Sequence, residues 1–113
     1  MPGEVIKAYT AQYRDPISFE AGAVVEVKRE DPEYPGWFWC RASSAKEGWV
    51  HRSFLADHVG KTTSLAAYSA KELTVVGGER GTPIYLLDGW VYMRLGSGEE
   101  GWLPESHVQL SPA

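Results

Sequence analysis

Short runs of β-branched and aromatic residues, broken by turn residues, set the pattern of this chain. Val24-Val25-Glu26-Val27 and the run from Trp37 to Arg41 are of this kind, bounded by Asp31-Pro32 and Pro35-Gly36. No window of about eleven residues sustains the period of an amphipathic helix. Strands of roughly four to six residues with turns every eight to twelve predict small barrels or sandwiches. Gly96-Ser97-Gly98 supplies one hairpin turn, and Ser43-Ser44-Ala45 supplies another with less specialised chemistry. Gly81 and Pro83 interrupt a further strand, which is therefore expected to be irregular or to lie at an edge.

The pattern occurs twice. Gly36-Trp37-Phe38-Trp39-Cys40-Arg41 recurs as Gly89-Trp90-Val91-Tyr92-Met93-Arg94, and Gly48-Trp49 recurs as Gly101-Trp102, at an offset of 53. Upstream the offset grows, to 56 for Ile17-Ser18-Phe19 against Leu73-Thr74-Val75 and to 59 for Ala8-Tyr9 against Ala67-Tyr68. The second copy has thus lost about three residues in each of two polar or proline-bearing loops, around Gln12 to Pro16 and Glu30 to Pro35. A polar stretch near Asp57 to Thr63 marks the boundary, which divides the chain into domains at 1–58 and 59–113. A linker of about six residues, at roughly 3.5 Å each, holds the two within about 20 Å, so packing of one domain on the other is expected.

The first copy resembles a Src homology 3 (SH3) domain. Ile17-Ser18-Phe19-Glu20-Ala21-Gly22 is similar to the family's "L-S-F-x-x-G" turn, and Gly48-Trp49-Val50-His51-Arg52-Ser53-Phe54 to its closing "G-Y/F-I-P-S-N-Y". The second copy resembles it through Leu73-Thr74-Val75, Gly78, Trp90 and the run from Gly101 to His107. The whole resembles small bacterial proteins with variant SH3 domains. The resemblance implies an all-β fold of two tandem SH3-like barrels, with an aromatic groove that accepts an extended, proline-rich peptide. By family position, groove one holds Tyr9, Trp37, Trp49 and Phe54, with Asp15 and Glu33 as acids for a basic ligand residue. Groove two holds Tyr68, Trp90, Trp102, Pro104 and His107. The pattern departs from the family at Lys7, Pro16 and His51, which replace a groove tyrosine, the specificity acid and the groove proline, and at Ala66 in copy two. Trp37 and Trp90, each following a turn glycine, are expected at the surface, whereas Phe19, Phe38, Trp39 and Tyr92 are expected to pack. The longer loops make copy one the more adaptable binder.

Composition narrows the chemistry. The 113 residues are 43% hydrophobic and carry a net charge of −4, as expected of a folded chain. The first 58 residues hold nine acids against seven bases and the remainder six against four, and no basic patch points to nucleic acid. The single cysteine, Cys40, excludes an internal disulfide, and its place in a strand gives it a packing role. His51, His58 and His107 have no metal-ligand spacing, and Gly77-Gly78 lacks the lysine and helix start of a phosphate loop. Glu99-Glu100 sits at a hairpin turn and is read as solvated. No cofactor, metal or catalytic residue is implied. The N-terminus has neither a signal-peptide pattern nor a membrane-length apolar run, so a cytoplasmic location and no membrane partner are expected. Two readings stay open: an adaptor binding a protein or peptide, and a structural pair whose aromatic surfaces are buried between the barrels or against a larger complex.

Overall fold

The computed structural model describes residues 2–111, so the outer limits of the two expected domains, residues 1 and 113, lie outside the described residues. Eleven strands follow in order: β1 Gly3–Val5, β2 Ser18–Phe19, β3 Val24–Glu30, β4 Trp37–Ala42, β5 Glu47–His51, β6 Gly60–Thr63, β7 Tyr68–Ser69, β8 Arg80–Leu87, β9 Trp90–Leu95, β10 Glu100–Pro104 and β11 Val108–Leu110. Single 3-10 turns occupy Arg52–Phe54 and Glu105–His107. The fold is all-β, in open sheets and not closed barrels.

Two compact units form, and they are not divided where the sequence repeat divides. One, here the central unit, is residues 13–70; the other, the composite unit, joins residues 1–12 to 71–113. The first segment of each sequence copy therefore lies with the body of the other copy.

In the central unit an antiparallel sheet runs β5-β4-β3-β6, with β2 and β7 as a separate pair. Alternation along β3 sends Val25 and Val27 inward and leaves Val24 exposed, while Cys40 and Ala42 of β4 face the same core. Ile17, Val50, Leu55 and Ala70 complete it. The β4–β5 hairpin turns through Ala45, which takes the left-handed φ of 74° that its counterpart Gly98 adopts at 93°. Gly48 is required by close approach, since a Cβ there would stand 2.9 Å from Ile17 Cγ2.

The expected linker belongs partly to this sheet. Ala56 N–H donates to Thr63 O at 3.0 Å, Asp57 N–H to Thr62 Oγ1 at 2.8 Å, and Leu65 N–H to Phe54 O at 2.8 Å. With Gly60 at φ 65°, the chain doubles straight back, and β6 runs along β3 with Val25 opposite Thr62. So tight a return carries the opening strand of copy two along the body of copy one.

In the composite unit β1 supplies the matching strand, placed between β8 and β11 in the order β10-β9-β8-β1-β11. Gly3 pairs with Leu110 on one side and Gly81 on the other. Val5, Leu73, Val75, Val91, Met93, Leu95, Leu103 and Val108 make the core. β8 is irregular as its sequence suggests, with a register shift between Pro83 and Tyr85, and β1 reaches only Arg80 and Gly81 of it. Asp88 and Gly89, at φ 41° and 93°, form the two-residue turn into β9. This turn replaces the longer Asp31–Gly36 loop of copy one.

Candidate functional site: two aromatic sets and a cross-strand row

The composite unit gathers Tyr9, Trp90 and His107 by backbone pairing. Tyr9 is fixed by reciprocal bonds with Val75, from Tyr9 N to Val75 O at 3.0 Å and from Val75 N to Tyr9 O at 2.8 Å. Its ring meets Trp90 edge-on at 6.1 Å and His107 at 5.4 Å, and all three are half-buried. His107 Nδ1 lies 3.3 Å from Lys7 O and 3.2 Å from Ala8 O, so it carries the proton and donates to these carbonyls. Beside Tyr9 sits Glu72, whose carboxylate accepts from Tyr9 Oη at 3.1 Å and from Gln12 N at 2.7 Å. Burial pushes the Glu72 carboxyl above the usual carboxylate range, against the pull of those two donors. Pro104 is buried at the start of the adjoining 3-10 turn.

The equivalent residues of the central unit are Tyr68, Trp37, His51 and Phe54. Tyr68 packs on Phe54 at 4.7 Å and Phe19 at 5.5 Å, and its hydroxyl donates to Trp49 O at 2.7 Å. Trp37 meets His51 edge-on at 5.1 Å. Here His51 Nδ1 accepts from Ser53 N at 3.2 Å, fixing the opposite tautomer to that of His107. Trp37 is only 4% exposed, and Tyr68 and Phe54 are each 7% exposed. The expectation of a surface Trp37 is thus corrected: it is a core residue, while Trp90 keeps a solvent-facing edge.

The site residues expected from sequence are redistributed accordingly. Of the first group, Asp15, Glu33, Trp37, Trp49 and Phe54 lie in the central unit and Tyr9 in the composite unit; of the second, Tyr68 lies in the central unit and Trp90, Trp102, Pro104 and His107 in the composite one. Asp15 is ion-paired with Lys46 at 3.0 Å, and Glu33 is exposed. Glu72 was not among the expected residues. Yet the offset of 56 sets it against Pro16, the position the family reserves for an acid, so a signal for it was present.

A second feature crosses the sheet of each unit. In the central unit Arg29, Trp39 and Trp49 stand directly opposite one another on β3, β4 and β5. The indoles meet edge-on at 5.1 Å, and the Arg29 guanidinium lies 5.3 Å from Trp39 and 5.6 Å from Trp49. Tyr13 adds a ring 5.5 Å from Trp39 and lies 3.3 Å from Trp49 Nε1 through its hydroxyl. In the composite unit the same row reads Tyr85, Tyr92 and Trp102, at 5.9 Å and 5.1 Å. Trp102 is buried there, whereas Trp49 is half-buried.

Cys40 is fully buried, and desolvation pushes its thiol up to about 12, so it stays protonated at neutral pH. Among the described residues no three His, Cys, Asp or Glu side chains group as a metal site, and no helix is long and apolar enough to cross a membrane.

The geometry is that of aromatic sets held at the end of a short sheet, next to a closing 3-10 turn. Residues 2–56 match the variant SH3 domain family. This SH3 match takes in parts of both units, since 2–12 lie in the composite unit and 13–56 in the central one. The chain is also 27% identical to human SH3 and PX domain-containing protein 2B over 122 aligned positions, 93% of this chain and 13% of that protein. It is 44% identical to mouse SH3 and PX domain-containing protein 2A over 50 residues, 44% of this chain and 4% of that protein. The chain thus spans a small fraction of the length of these SH3 relatives. No solved structure matches it significantly.

Proposed function

We propose that the chain is a non-catalytic interaction module with two SH3-type copies in its sequence, and that the open set Tyr9, Trp90 and His107 receives an extended peptide of a protein partner. The carrying observation is the arrangement of three half-buried rings, edge to face at 5.4 to 6.1 Å, beside buried Pro104 and the Glu72 carboxylate. Flat apolar faces with polar edges suit the ridges of a polyproline II segment. Alignment of the relative across both copies supports an SH3 reading for the second as well as the first. A free, buried thiol suits the reducing cytoplasm.

A phage-displayed library of proline-rich peptides is the test. A ligand in the micromolar range is expected, about −8 kcal/mol, and Trp90→Ala should weaken it at least about tenfold while thermal unfolding stays cooperative. Normal binding by that variant would assign the ligand elsewhere.

A second reading, of a structural pair, has its own support in the burial of Trp37, Phe54 and Tyr68. In that reading the central unit's set is a packing element and only the composite unit's set serves recognition.

A further inference from the structure

The row on the central unit carries a charge that its surroundings leave unmatched. Arg29 is exposed and its guanidinium meets rings: it lies over Trp39 and Trp49, with no Asp or Glu within ion-pair distance among the described residues. The carboxylates of the adjoining strands are engaged elsewhere. Glu47 Oε1 accepts from Trp39 Nε1 at 2.6 Å, Glu30 Oε2 from Gly36 N at 2.9 Å, and Glu26 is paired with Lys28 at 3.1 Å. Asp15 is held by Lys46 at 3.0 Å. Both indole N–H groups are also in use, on Glu47 and on the Tyr13 hydroxyl, which leaves the guanidinium as the row's free donor.

We infer that the Arg29, Trp39 and Trp49 row is a binding site for a carboxylate, that of an Asp or Glu side chain in an extended peptide. The guanidinium presents a planar fork of donors that matches a carboxylate in two parallel bonds. Resting on two indoles, it is partly desolvated and conformationally restricted, so less freedom is lost on pairing. Tyr13 and the indole edges offer the flanking residues an apolar floor. Charge complementarity selects an acid here, the reverse of the basic ligand residue that acids such as Asp15 and Glu33 would select. The composite unit provides an internal contrast, because Tyr85 stands where Arg29 would, and the row there is made of three aromatic side chains. This site does not depend on the Tyr9 set.

The test is an NMR titration of the full chain, following indole N–H resonances, with two blocked proline-rich pentapeptides that differ only in a central Glu or Gln. The Glu peptide should shift Trp39 and Trp49 and leave Trp102 in place, with an affinity at least about tenfold above the Gln peptide, the scale of a charge-assisted hydrogen bond. Arg29→Gln should reduce that preference to less than about twofold, and Arg41→Gln, on the same strand as Trp39, should preserve it. Equal binding of the two peptides, a preference that survives Arg29→Gln, or no shift at either indole with any peptide would each overturn the site and leave Arg29 as a cross-strand partner of the rings. A ligand that moves Trp90 alone would support the Tyr9 set while sinking this one.

Discussion

The two aromatic sets are built from equivalent positions and end in opposite states. Tyr9, Trp90, Pro104 and His107 correspond to Tyr68, Trp37, His51 and Phe54, yet the first tyrosine, tryptophan and last ring keep solvent-facing edges and the second three are sealed. The hydroxyls follow suit: Tyr9 donates to a carboxylate that water can also serve, and Tyr68 to the backbone oxygen of Trp49. A Phe at position 54 has no polar atom to keep wet, whereas His107 uses Nδ1 on the backbone and retains a second ring nitrogen. Small changes in ring polarity thus separate a packing element from a recognition surface on one framework.

The largest effect that would sharpen this contrast is on stability. Tyr68→Ala should cost about 3–5 kcal/mol, the range for emptying a buried aromatic site, whereas Tyr9→Ala should cost about 1–2 kcal/mol because less apolar area is lost. Urea unfolding of the two variants measures both, and equal losses would break the distinction. A smaller effect addresses the partners. A double-mutant cycle of Tyr9→Ala with Trp90→Ala should give a coupling of about 0.5–1.5 kcal/mol, typical of an edge-to-face pair. A coupling near zero would break the pairing of Tyr9 with Trp90. The smallest concerns the two hairpin turns. Ala45→Gly should stabilise by about 0.5 kcal/mol, the left-handed strain relieved less the added chain entropy, and Gly98→Ala should destabilise by a similar amount; thermal unfolding reads both.

Much of the framework was legible in the residues. The offset of 53 paired Gly48 with Gly101, and both turn out to be positions where a Cβ would strike the facing segment, at Ile17 in one unit and at Leu73 in the other. Gly81 and Pro83 correctly marked the irregular β8. The exchange of opening strands was not legible, and for a physical reason. β1 and β6 are equivalent segments that suit either sheet, so local pattern cannot choose between them; the hairpin at residues 55–64 does, and its hydrogen bonds involve ordinary polar residues with no distinctive spacing. Burial of Trp37 was missed because a tryptophan after a turn glycine reads alike whether its face is open or covered. Arg29 escaped notice because the register shift between Val27 and Arg29 brings it opposite Trp39, which simple alternation does not foresee.

The placement of β1 also sets an order of events during synthesis. Its partner strand β11 is made about a hundred residues later, since Gly3 pairs with Leu110 and Val5 with Val108. At about 5–20 residues per second, β1 waits several seconds for this neighbour, with Val5 unburied. The central unit, whose residues form one continuous stretch, can assemble meanwhile. Translation thus runs through the two units unequally: the continuous unit can close first, and β1, made before it, is locked in only after it.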